Sequence, residues 1–356
     1  MSERVSDHRA DDAGDASESG DASETRDDRL DVLIHRADLD GLVRLADDAA
    51  SAGDWALLRR LRDRARHAVG TGRQLWPAAT LAEYRLALAA PAEWAAGVLD
   101  EGSGRFTIGP LTEVVAQRHT WAELASLIEP GPRASLVAHE RVLREERIDP
   151  ESVVGLPEVL DMPYARAEWE PTYPLAEYSA LSVETLSPPV PGGLRAVPHL
   201  PAIDGAAVLD DPAVELAVRQ LVEPWTASSD GHADVVAVEG DATMALRALG
   251  VPSVRMAELT TQQAMAWLGW AGASGGAHGR RRGAATGRFG ALWLVGALGD
   301  IDADGPLDPA ELGEVAAGLR WWWWDAHEPV TGWQLQLAIE DPTERLAWAI
   351  SARDAV

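Results

Sequence analysis

At 356 residues and 38.1 kDa the chain has room for two domains or one large one, and its 46% apolar and 25% charged residues allow a globular core. Its 57 acidic against 31 basic residues leave a net charge of −26, which excludes nucleic acid or an anionic membrane as a general partner, because both require positive surface. There is no Cys, so disulfides, thiolate metal sites and Cys nucleophiles are excluded; there is no Lys, which removes P-loop and Schiff-base chemistry. Asn is absent too, and with abundant Ala, Arg and Gly this points to a high-GC bacterial genome.

Residues 1–28 hold ten acids, three Arg and almost no large apolar side chain, and read as a disordered acidic tail. They lack the basic start and apolar run of a signal peptide, and no run of about eighteen apolar residues follows anywhere, so a cytoplasmic location and no membrane partner are expected. From 29 to 148 the apolar spacing predicts short helices with capping residues. Asp54 precedes Trp55, Leu58 and Leu61, and Thr120 precedes Trp121, Leu124 and Leu127, while a looser copy follows Asp38. With breaks at Gly53, Gly70, Pro77, Pro91, Pro110 and Pro130, this reads as a degenerate helical repeat or as an ordinary irregular helical domain. Ten prolines between Pro150 and Pro201, interleaved with Tyr164, Trp169, Tyr173 and Tyr178, make 149–210 a connector that packs against a domain.

Residues 211–356 mix signals. Asp211 caps a helix from Pro212, a strand begins at Asp234, Asp241 caps a helix ending at Gly250, and another strand follows Ser253: a compact β-α-β rhythm. Helices are predicted over 260–271 and 284–298. Three antiparallel strands follow at 319–325, 333–340 and 346–352. The whole is α+β: an N-terminal α-helical repeat-like domain followed by a mixed α/β domain with a C-terminal antiparallel sheet.

Three stretches could carry chemistry. No acid occurs between Leu259 and Gly299, a window that holds Ser274, Gly276, His278, Arg280, Arg281, Arg282 and Arg288 among many glycines. Glycines let backbone amides approach a ligand, and guanidinium forks clamp phosphate or carboxylate; equally, the arginines could pair with acids elsewhere on the chain. Asp300, Asp302, Asp304, Pro306 (through its carbonyl) and Glu311 fit the spacing of an EF-hand loop, which makes Ca²⁺ a candidate cofactor. An acidic loop capping the helix at Pro309 explains the same letters, and no second loop is seen to pair with it. Gly272-Ala-Ser274-Gly-Gly276 matches the G-x-S-x-G elbow, but a helix precedes it where a strand is needed, so catalysis by Ser274 is not expected. In the run Trp321–Trp324 the side chains alternate between faces: one pair fills the core, and the other needs a covering element, a partner or a ligand.

The run 270–283 (WAGASGGAHGRRRG), the Trp cluster 321–324 and the segment 331–342 (TGWQLQLAIEDP) resemble an uncharacterised actinobacterial domain-of-unknown-function family. That resemblance implies no activity or catalytic residue. The expectation from the residues is a binding or interaction protein with an anion or phosphate site at the Arg/Gly loop, and a protein partner reached through the helical repeats or Trp321–Trp324. The alternatives are an enzyme acting on a phosphorylated or carboxylated small molecule at that loop, with His278 as acid or base, and a Ca²⁺-stabilised fold.

Overall fold

The computed structural model describes residues 27–202, 207–301, 307–328 and 331–355. Nearly all of the predicted acidic tail lies outside these residues. The chain divides into two compact units, one formed by residues up to Val98 with Gly102–Phe106, the other by Leu99–Glu101 with Thr107 onward.

The first unit is helical: α1 (27–36), α2 (Leu39–Ala52), α3 (Trp55–Gly70), α4 (Trp76–Ala89) and α5 (Ala92–Ala96). The caps read from the sequence are in place. Asp38 accepts the Gly41 N–H at 2.9 Å and Asp54 accepts the Leu57 N–H at 3.0 Å, each satisfying an orphan donor of its helix. Gly53 ends α2 at φ +69°, a conformation that a side chain would strain. Leu30, Leu42, Leu45, Leu57, Leu58 and Leu61 are fully buried between the helices. The buried Glu83 accepts the Gly104 N–H and lies 3.6 and 3.5 Å from Arg62 and Arg66, so a charge in this small core has partners.

The second unit contains α6 (Leu111–Arg118), α7 (Trp121–Leu124) and α8 (Pro132–Leu143), which the sequence groups with the preceding helices. The two cap–Trp–Ala copies differ in extent. Asp54 opens a helix of 16 residues, whereas Thr120, despite a full capping box with Glu123, opens a single turn that leaves Leu127 exposed. The Pro-rich segment packs on this unit, burying Met162, Tyr173 and Tyr178, and carries a small hairpin of β1 (Ala176–Tyr178) and β2 (Val183–Thr185).

The remainder builds a seven-stranded sheet from β3 (Arg195–Val197), β4 (Val208–Leu209), β5 (His232–Glu239), β6 (Val254–Leu259), β7 (Arg320–Asp325), β8 (Trp333–Asp341) and β9 (Leu346–Asp354). Its order is β3-β6-β7-β8-β9-β5-β4, and every neighbouring pair is antiparallel. The β-α-β rhythm therefore does not make a parallel pair. β5 and β6 point the same way, but the β7–β8–β9 meander fills the space between them, and α11 (Ala242–Ala248) crosses that meander on one face. We call this the outer face. The inner face is covered by α9 (Pro212–Leu221), α10 (Glu223–Ala227), α12 (Thr261–Ala273), α13 (Ala284–Leu298) and α14 (Pro309–Gly318).

Strand alternation sorts the four tryptophans. Trp321 and Trp323 point inward, where Trp323 stacks on Trp267 of α12 with ring centroids 4.2 Å apart. Trp324 points outward beneath α11, and small residues at Ala338, Ala347 and Ala349 let that helix sit close. Trp322 is the one left half-buried on the outer face. Several glycines of the acid-free window serve packing. A methyl group on Gly287 of α13 would lie 2.1 Å from the Gly269 carbonyl oxygen of α12, so these helices approach closely because Gly287 lacks a side chain, while Gly269 makes room for the Tyr173 ring.

Candidate functional site

The Arg/Gly loop joins α12 to α13, and its geometry is that of an anion cradle filled by the chain's own carboxylates. Arg281 forms a bidentate pair with Glu113 of α6, Nε to Oε2 at 2.8 Å and Nη2 to Oε1 at 2.7 Å. Arg288, fully buried, holds Glu170 in the same fork at 2.7 and 2.8 Å and donates to the Pro163 and Ala165 carbonyls. The Ala277 amide donates to Asp354 at 2.6 Å, and the Ala284 and Ala285 amides, at the start of α13, donate to Glu113 and Glu140. Gly276 (φ +69°) and Gly283 (φ +99°) bring the backbone this close; a methyl group on Gly276 would lie 2.2 Å from Asp354 Oδ2.

The other residues of the window do not converge on an open pocket. Arg282 donates to the Gln220 carbonyl at 2.7 Å, Arg280 is also engaged, and His278 is exposed. Ser274 is buried at the end of α12, donating to the Ala271 carbonyl and accepting from the Trp225 indole. It has no base beside it, and the downstream Asp325 is held by a bidentate pair with Arg255.

These contacts set the protonation of the buried acids. Burial pushes Glu113 up, but the Arg281 charge and hydrogen bonds, with Tyr178 donating at 2.6 Å, bring it below its ordinary value. Burial and the neighbouring Glu113 charge push Glu140 up to about 7, against the pull of Arg144. His139, stacked on Tyr164 at 4.2 Å, is lowered to about 3 by burial and by Arg288, so it is neutral. The sequence reading missed all three glutamates. Glu113 stands out as a lone acid between apolar residues in Leu111–Val115, whereas Glu140 is flanked by His139 and Arg141 and carries no such signal.

Of the acidic loop, Asp302, Asp304 and Pro306 lie outside the described residues. Asp300 has φ +50° just beyond α13, and Glu311 is exposed in the first turn of α14. Asp308 caps α14 by accepting the Ala310 N–H at 2.8 Å. Among the described residues no three acids or histidines gather as a metal site, and no helix is long and apolar enough to cross a membrane.

An open groove lies elsewhere, on the part of the outer face that α11 leaves uncovered. A groove of about 710 Å³ is lined by Arg195 of β3, Glu258 of β6, Arg320 and Trp322 of β7, Glu340 of β8 and Asp241 before α11. Register brings them together: Glu258 is opposite Trp322, and Arg320 is opposite Glu340. The Arg320 guanidinium lies over the Trp322 ring, 4.8 Å from its centroid. Its nitrogens are 3.6 Å from Glu340 and 4.0 Å from Glu258, beyond hydrogen-bonding range, and its side chain is 51% exposed. Asp241 is engaged in capping α11, and Glu340 accepts the Ala242 N–H at 3.3 Å. The Arg195 side chain has no hydrogen bond or ion pair among the described residues. Of this set the sequence had marked only the tryptophan run.

Comparison with known proteins places the chain without assigning a role. The model of a family of unknown function, DUF6183, matches residues 40–355. No curated protein and no solved structure matches significantly.

Proposed function

The chain belongs to DUF6183, a family of unknown function, and from that premise we propose that it is a binding protein whose small anionic ligand sits in the groove over Trp322. The observation that carries this reading is Arg320: a half-exposed guanidinium resting on an indole, with no hydrogen-bonded counter-ion. A carboxylate or phosphate entering the groove would gain charge-assisted hydrogen bonds from Arg320 and Arg195 without breaking existing ones. At the Arg/Gly loop the same chemistry is already met by Glu113, Glu170 and Asp354, so an anion there would have to displace buried pairs.

The test is a thermal-shift comparison of wild type, Arg195→Ala and Arg320→Ala with inorganic phosphate, acetate and benzoate. A ligand that prefers the folded state raises the wild-type midpoint, and the rise should shrink in both variants. Equal responses in all three proteins, or none in wild type, would overturn the proposal.

A further inference from the structure

Resting on that groove, the geometry points to a narrower ligand class: a zwitterion, specifically a free α-amino acid with an apolar or aromatic side chain. The argument starts from two charges that are near each other and yet apart. Arg195 stands opposite Met256 in the β3–β6 register, and Glu258 is two residues further along β6 on the same face. Diagonal neighbours of this kind are separated by roughly 7–8 Å between backbones, within reach of two long side chains. They do not pair: Glu258 has only the 4.0 Å approach of Arg320, its side chain is 67% exposed, and Arg195 has no partner among the described residues.

The remaining groove charges are committed. Asp241 caps α11, and Glu340 serves the Ala242 amide and faces Arg320. Arg320 is flanked by Glu340 and Glu258 at 3.6 and 4.0 Å, so the poles left facing each other across a gap without an intervening charge are the Arg195 guanidinium and the Glu258 carboxylate. An α-carboxylate and an α-ammonium on a single carbon fill such a gap, the first accepting from Arg195 and the second donating to Glu258. Met256 and Trp322, the residues opposite Arg195 and Glu258 in the register, then form an apolar floor for the ligand's side chain. A simple anion would leave Glu258 facing negative charge, and a simple amine would leave Arg195 unmatched.

The experiment is titration calorimetry of the full chain with L-leucine, L-phenylalanine and L-tryptophan, each beside its deaminated acid and its decarboxylated amine, with phosphate and benzoate as further arms. The expected result is binding of at least one amino acid, with both truncated analogues weaker by about tenfold to a hundredfold, the cost of one lost charge-assisted contact. Glu258→Gln should then bind the amino acid no better than its deaminated acid, and Arg195→Gln should lose discrimination against the amine. Both positions are exposed, so the variants keep the wild-type unfolding midpoint. If the deaminated acids, benzoate or phosphate bind as well as the amino acids, the zwitterion inference fails while the anion groove stands. If nothing binds wild type, both fail.

Discussion

Replacing Arg281 with Ala tests how the second unit manages its buried charge. In the wild type the guanidinium, 7% exposed, makes two hydrogen bonds of 2.7 and 2.8 Å to a Glu113 carboxylate with no exposure at all. The variant leaves that carboxylate with the Tyr178 hydroxyl at 2.6 Å and the Ala284 amide at 3.3 Å, and no positive charge in direct contact. Breaking a buried pair from one side costs about 3–5 kcal/mol, against about 1 kcal/mol for Arg282→Ala, which loses one bond to a backbone carbonyl. Urea unfolding at pH 7 reads both as shifts in midpoint at constant slope. The pH dependence is the sharper signature. With Arg281 present, Glu113 is held low, so its stabilisation is complete above the ordinary value of 4.5 and is lost as the pH falls below that. Without Arg281, burial is less opposed and raises the carboxyl, which folds best protonated. The gap between the two proteins should therefore narrow as the pH drops from 7 towards 4.5. The double variant Arg281→Met with Glu113→Leu should recover much of the loss, since neither charge is then stranded. A midpoint within the range of Arg282→Ala, or a gap independent of pH, would refute the reasoning.

Other outcomes follow from the same contacts. Between about pH 4.5 and 6.5, Glu140, raised to about 7, makes stability fall as pH rises, while His139, lowered to about 3, makes it rise, so the two slopes oppose each other. Glu140→Gln should unmask an increase of stability with pH in that window and His139→Phe a decrease, both read from denaturation midpoints; parallel profiles would contradict the assignment. Trp323→Ala removes the ring stacked on Trp267 and should cost about 3–5 kcal/mol, whereas Trp322→Ala, half-buried, should cost under about 2 kcal/mol by thermal unfolding. Gly287→Ala places a methyl group 2.1 Å from the Gly269 carbonyl, and overpacking should destabilise by about 1–3 kcal/mol or more; an unchanged midpoint would mean that α12 and α13 can separate freely.

Much of the α+β architecture was legible because its signals are local. Asp211 and Asp241 cap α9 and α11 as read, Thr260, read as the first residue of its helix, caps α12 instead, and α13 spans Ala284–Leu298 as its apolar run requires. The three C-terminal strands fall where alternation and turn residues place them, with Asp341 accepting the Thr343 and Glu344 amides at the last turn. The candidate site was far less legible. The acid-free window stood out, and the pairing of its arginines with acids elsewhere was one of two readings the residues allowed. Which acids, and whether any guanidinium stayed open, could not be read from spacing.

Caps, turns and alternation depend on a few consecutive residues, so the amino-acid order alone determined the helix starts, the strand positions and the opposite facing of neighbouring tryptophans. Partners depend on what packing brings together. Arg281 meets Glu113 across 168 positions, and Arg288 meets Glu170 across 118. The same holds for the strand order. A strand carries no record of its neighbour beyond its own faces, so β5 and β6, joined by one short helix, end up with three strands between them. It was that order, together with the short reach of α11, that covered Trp324 and left Trp322 beside Arg195, Glu258 and Arg320. Alternation could place the four tryptophans on two faces, but only the packed sheet decided which of them remains open to a ligand.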